Sequence, residues 1–206
     1  MVYRTFFIFV RKVIYLKKIT ADFAVSTTLV ANKEIESMET GLSKKKIKES
    51  IIKMHNYLKT QDYYEDINSY ALYTDDGYMS ITMIFNTNSY LDKKKDDKYY
   101  LTYKYSPAEW YSEILKSDSL IYGNTFFDEI SCFLKERALS GGDNEKNVID
   151  DCIEALKDIR NSGEITHDKI LLFMVSDCYD EEAIIKWNSK LNTLDIANEI
   201  KKWLSD

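Results

Sequence analysis

Carboxylates are the chemically most suggestive residues in this chain. Asp177, Asp180, Glu181 and Glu182 follow an apolar run, Ile170 to Val175. An acidic group between a strand end and a helix start can hold Mg²⁺ or Ca²⁺ through oxygen ligands. The same residues serve equally as helix caps, with Asp177 or Asp180 capping and Glu181 and Glu182 complementing the helix dipole. The spacing matches no EF-hand loop, which favours capping. A second acidic pair, Asp75-Asp76, precedes Gly77. A third carboxylate, Glu109, lies in Ser106-Pro107-Ala108-Glu109-Trp110. There Ser106 at the N-cap, Pro107 at the first helical position and Glu109 at the third predict a capping box.

Histidine and cysteine offer little beside these. The two histidines are His55 and His167, and the three cysteines are Cys132, Cys152 and Cys178. Their scatter matches no zinc motif, and the odd, widely spaced cysteines fit buried thiols in a reducing cytoplasm. No metal or cofactor is expected, and no phosphate-binding loop or nucleophile elbow occurs.

These residues must be carried by ordered elements, and the patterning supplies them. The 206 residues are 45% hydrophobic and 30% charged, enough for a core of ordinary size. The spacing of Ile47, Ile51, Met54, His55 and Leu58 predicts a helix over 44–59. Asn68 to Thr74 and Tyr78 to Thr87 predict a β-hairpin turning at Asp75-Asp76-Gly77, where glycine accepts positive φ. Tyr99 to Tyr105 alternates and predicts a third strand, beyond a charged loop at Lys93 to Lys98. Helices are expected at 126–138, with Phe126, Phe127, Ile130, Phe133 and Leu134 inward, and at 148–160. The continuous apolar run 169–175 predicts a strand covered on both faces. Helices opening at Asp180 and at Thr193 or Asp195 follow. The fold class expected is α+β, a mostly antiparallel sheet flanked by helices, in one domain over residues 41–206.

Residues 1–40 form an N-terminal extension in this reading. Val2 to Ile19 is apolar and basic, and Arg11 and Lys12 interrupt it far short of the ~20 apolar residues of a membrane span. Three readings of it stand: a packed element, a peripheral basic amphipathic segment, or translation truly starting near Met38.

The formal net charge is −6, which repels nucleic acid and attracts a basic protein. The sixteen tyrosines and three tryptophans, several set among charges, suit a protein-binding face, with Trp110 and Trp187 expected on the polar sides of helices.

Several segments in order resemble the bacterial domain of unknown function 4303 family over about residues 44–206. They are Tyr70 to Asp76, Phe85-Asn86-Thr87-Asn88, Tyr105 to Trp110, Phe173 to Asp177, and Lys190-Leu191-Asn192. The resemblance implies a fold more than an activity. It points to Asn86, Ser106, Glu109, Trp110 and Asp177 as the residues with family-level meaning. Each is expected to play a structural part, Asn86 by terminating a strand and Trp110 by anchoring its helix against the sheet. Such families are similar in style to immunity proteins. The function expected is therefore a cytoplasmic, non-catalytic module that binds a basic, toxin-like protein. The alternative is a carboxylate- or metal-dependent hydrolase using Glu109 and Asp177.

Overall fold

A computed structural model describes residues 44–110 and 125–205. The extension expected over residues 1–40 lies outside the described residues. Helix α1 covers 44–58 and buries the predicted stripe, with Ile47, Ile51, Met54, His55 and Leu58 all 2% exposed or less. Strands β1 (Ile67–Thr74) and β2 (Ile81–Thr87) form the antiparallel hairpin, with one irregularity in register between Ile67 and Ser69.

The turn of this hairpin differs from the two-residue turn expected. Its connection spans 75–80, and the positive φ falls on Tyr78 (52°) instead of Gly77. Asp75 organises it: Oδ1 accepts from the N–H of Gly77 (3.0 Å) and of Met79 (3.1 Å), and Oδ2 accepts from the Ser80 hydroxyl (2.5 Å). An acid able to bond several turn amides makes a longer loop favourable.

Residues 88–105 form two short helices joined by a turn, and the third strand expected at 99–105 does not form. Helix α2 (Asn88–Lys94) begins as β2 ends, its N-cap Thr87 accepting from Tyr90 N at 3.3 Å. Helix α3 (Tyr100–Tyr105) follows after Asp97, which accepts from Tyr99 N at 2.8 Å. The run Tyr99 to Tyr105 is aromatic at nearly every other position whatever its backbone, so its alternation could not separate strand from helix.

Helix α4 (Asp128–Leu139) turns Ile130 and Leu134 inward, while Phe133 is 41% exposed and not inward as expected. Helix α5 (Glu145–Ser162) buries Val148, Cys152, Ala155, Leu156 and Ile159 and ends on Gly163 at φ 75°. Strand β3 (Ile170–Val175) follows, then α6 (Glu181–Ser189) and α7 (Leu194–Ser205).

The sheet order is β2-β1-β3, with β1 antiparallel to β2 and parallel to β3. The α+β class holds, and the sheet is small and mixed, not mostly antiparallel. The parallel pairing comes from the long α4–α5 crossover, which returns β3 in the direction of β1.

Strand β3 is an edge strand, yet its outer edge is paired by side chains. Asn188 Oδ1 accepts from Phe173 N (2.9 Å) and its Nδ2 donates to Phe173 O (3.1 Å). Asn192 repeats this on Leu171, accepting at 3.0 Å and donating at 2.6 Å. The spacing explains the fit. Asn188 lies in the last turn of α6 and Asn192 in the turn that follows it, and residues two apart on a strand share one edge. Each carboxamide thus replaces one peptide unit of a missing neighbour. The same two amides donate to Ile184 O and Asn188 O, which ties the end of α6 to the sheet. An unpaired, buried β3 edge would leave peptide groups unsatisfied, each costing ~1–3 kcal/mol.

Asn188 is fully buried. Replacing Asn188 by Ala should therefore lower the unfolding free energy by about 3 kcal/mol, and replacing the half-buried Asn192 by about 1–2 kcal/mol. Urea unfolding of the two variants measures both. Asn188→Asp should not rescue, because a carboxylate cannot donate to Phe173 O.

Candidate functional site

The parallel pair ends where three chain segments meet. Ser176 N donates to Thr74 O (2.9 Å), joining the ends of β3 and β1. Asn144, just before α5, donates through Nδ2 to Tyr78 O (3.2 Å) and Leu134 O (2.7 Å). The turn 75–80, the loop 176–180 and the start of α5 thus share one end of the sheet. The carboxyl end of parallel strands is where α/β sheets commonly place ligands.

Backbone strain gathers here too. Tyr78 (φ 52°) and Asp177 (φ 53°) are the non-glycine residues with positive φ among those described. Such conformations cost of order 1–3 kcal/mol and collect at functional sites.

The electrostatics are acidic. Asp76, Asp143, Glu145, Asp177, Asp180, Glu181 and Glu182 are all exposed, and neither 74–80 nor 175–185 contains a lysine or arginine. Burial raises the Tyr78 phenol above its ordinary value, and Glu145, Cys178 and Asp143 push it the same way. Burial and Asp177 act likewise on Tyr73, against a hydrogen bond with Ser176. Burial opposes ionisation of Asp75, but the Ser80 hydroxyl and the turn amides outweigh it and hold this carboxyl below its usual range. At the rim, Tyr179 stands 89% exposed, and Met79 is 40% exposed.

The two readings of the 177–182 acids resolve in part. Asp180 is the N-cap of α6, accepting from Ala183 N at 2.9 Å, with Glu181 and Glu182 in the first turn. Among the described residues, no group of three or more His, Cys, Asp or Glu side chains is placed to hold a metal ion. Asp177 remains at the strained corner beside Tyr73.

The other residues singled out from sequence lie elsewhere. Asn86 is 2% exposed; its Nδ2 donates to Tyr103 O (3.0 Å) and its Oδ1 accepts from Thr87 N (2.9 Å). It closes β2 and pins α3, as expected of a strand-ending asparagine. Ser106 makes no side-chain cap bond, so the capping box does not form, and Pro107–Glu109 is a single 3-10 turn. Glu109 is exposed, and its carbonyl accepts from Tyr90 Oη at 2.7 Å. Trp110 is 1% exposed, in the core as the expected anchor and not on a polar face, and Trp187, also expected on a polar side, is buried at 9% exposed.

Asn86 and Asp177 are not brought together. Asn86 pairs with Ser69 and Val175 pairs with Thr74, five residues further along β1. At ~3.3 Å per residue the Asn86 and Val175 rows lie about 16 Å apart along the sheet, and Asp177 lies beyond the second. Glu109 is tied to α2, which leaves the sheet at the Asn86 end.

At that opposite end lies a buried polar cluster whose partners the sequence did not reveal. His55 is 2% exposed, 5.5 Å from the Tyr70 ring and 5.7 Å from the Tyr64 ring, both edge-on. Among the described residues the Tyr70 hydroxyl has no hydrogen-bond partner, and the backbone of Glu164 is the hydrogen-bonding group set against the His55 ring. Nearby, Arg160 donates to the carbonyls of Thr166 and Lys169, and Lys169 Nζ donates to Ile67 O (2.7 Å). Burial lowers the His55 imidazolium pKa, Lys59 and Lys169 lower it further, and Glu164 opposes them.

A family model described as a domain of unknown function, DUF4303, matches residues 47–193. The chain belongs to this family. The match runs from α1 to the loop before α7, so it includes both ends of the sheet, the Asn188 and Asn192 clamp and every residue singled out above. No curated protein and no solved structure matches the chain. No helix among the described residues of this DUF4303 protein is long and apolar enough to cross a membrane.

The His55 environment dictates a direction for pH. A histidine held neutral by the fold leaves stability intact above its unfolded value of 6.5 and removes it as pH falls below that value, because only the unfolded chain takes up the proton. Thermal melts should fall between pH 6.5 and about pH 5, before most carboxylates titrate. In His55→Phe that part of the slope should flatten.

Proposed function

We propose that this protein is a non-catalytic binding module of the toxin-neutralising, immunity kind, acting in the cytoplasm on a basic protein partner. The observation that carries the proposal is Tyr179, 89% exposed at the rim of the acidic sheet end. A large ring left in water beside carboxylates resembles the anchor of a protein interface, where tyrosine is enriched and opposite charge steers encounter. The partner's lysines and arginines would meet Asp76, Asp177 and the first turn of α6.

A second consideration favours binding over hydrolysis. Asp75 and Asp180 bond backbone amides, and Asp66 accepts from Ser89 N at 3.1 Å. These three carboxylates are thus occupied at turns and helix starts. Those at the rim are spread over an outward surface.

Co-expression with the product of a gene adjacent to its own tests the proposal. A stable complex is expected, with affinity falling as salt rises. Tyr179→Ala should weaken it by about tenfold or more, and Asp76→Lys should slow association, both without loss of thermal stability. No complex, or a complex indifferent to both substitutions and to salt, would contradict this reading.

A further inference from the structure

Between α5 and α6 lies an open cleft of about 300 Å³. Its two walls carry opposite charge. The α5 wall presents Asp143, Glu145 and Asp150 against one lysine, Lys146. The α6 wall presents Lys186 and Lys190, one turn apart, and no acid. Ile149, Ile153 and Trp187 form an apolar floor between them.

The charges of this cleft do not neutralise one another. The ion pairs of the described residues involve other side chains, and none bridges the walls. The side chains of Asp150, Lys186 and Lys190 have no hydrogen-bond or ion-pair partner among the described residues, while Asp143 Oδ1 accepts from Glu145 N (3.0 Å) and leaves Oδ2 available. Trp187 and Ile149 lie between the charged walls, and the Asn188 clamp fixes α6 on β3. A cleft whose two charged sides stay separated over an apolar floor suits a molecule that carries both charges a short distance apart.

We propose that this cleft binds a free α-amino acid with a large apolar side chain. Its ammonium group faces Asp143 and Asp150, its carboxylate faces Lys186 and Lys190, and its side chain covers the Trp187 ring. The volume is at the lower end of small-molecule sites and matches an amino acid better than a nucleotide or cofactor. Requiring both charges gives selectivity, since a ligand lacking either one leaves a partly desolvated opposite charge unpaired.

Calorimetric titration of the full chain with L-phenylalanine and L-leucine is the test. Saturable one-to-one binding is expected within about 10 mM, the affinity range of a small ligand held by a few contacts. N-acetyl-L-phenylalanine and L-phenylalanine amide, each lacking one charge, should bind about tenfold more weakly or not at all. Asp150→Asn and the double variant Lys186→Gln/Lys190→Gln should each weaken binding severalfold, with circular dichroism unchanged because all three residues are exposed. No saturable heat, or equal binding of the blocked analogues, would overturn the proposal. These substitutions lie outside the Tyr179 surface. If they weaken a protein complex while amino acids fail to bind, the cleft belongs to the partner interface and the amino-acid site is refuted.

Discussion

The buried edge of β3 is the constraint on which the rest of this fold depends. A three-stranded sheet must leave two edges, and β3 is apolar on both faces, so its peptide groups cannot turn to water. Asn188 and Asn192 meet that demand with side chains, pairing with Phe173 and Leu171 as a neighbouring strand would. Because these asparagines end α6 and follow it, the clamp sets how the end of α6 packs on the sheet, while Asp180 caps its start. Both the acidic rim and the charged cleft are therefore consequences of how one strand edge is satisfied.

Polar side chains divide the two ends of the sheet between different tasks. At the end where β2 finishes, Asn86, Thr87 and Asp66 stitch α2 and α3 to the strands. The same end holds Arg160 and Lys169 on backbone carbonyls and His55 among tyrosine rings. The other end carries positive φ at Tyr78 and Asp177, unpaired surface acids and an exposed tyrosine. Strain and exposure are tolerated there because Asp75 and Asn144 hold the loops that carry them.

Much of this architecture is legible in the chain. Helical stripes such as Ile47-Ile51-Met54-Leu58, and the unbroken run 170–175, announce their burial because apolar periodicity reports packing directly. Gly163 ends α5 as an αL cap should. The segment 99–105 is illegible for a physical reason: tyrosine and leucine at nearly every other position fit a sheet face and a helix equally. The hairpin turn misleads in another way. Asp-Gly suggests a tight turn, but the bonds made by the Asp75 carboxylate select a longer one, and local propensity yields to them. Ser106 and Glu109 satisfy a capping pattern without forming it, since the helix they would start lasts a single 3-10 turn.

Of the candidate site, Asp177 and the acids after it could be singled out because they follow a buried strand. The meeting of 75–80 with 143–145 and 176–180 could not, because it depends on the parallel return of β3. Nor could the role of Asn188 and Asn192. Two asparagines four apart mean nothing until a strand edge lies beside them. Amide hydrogen exchange at Leu171 and Phe173 tests the central claim most directly. If the carboxamides replace a missing strand, these two N–H groups exchange as slowly as those of the central strand β1. Fast exchange at both, as at an open edge, would contradict it.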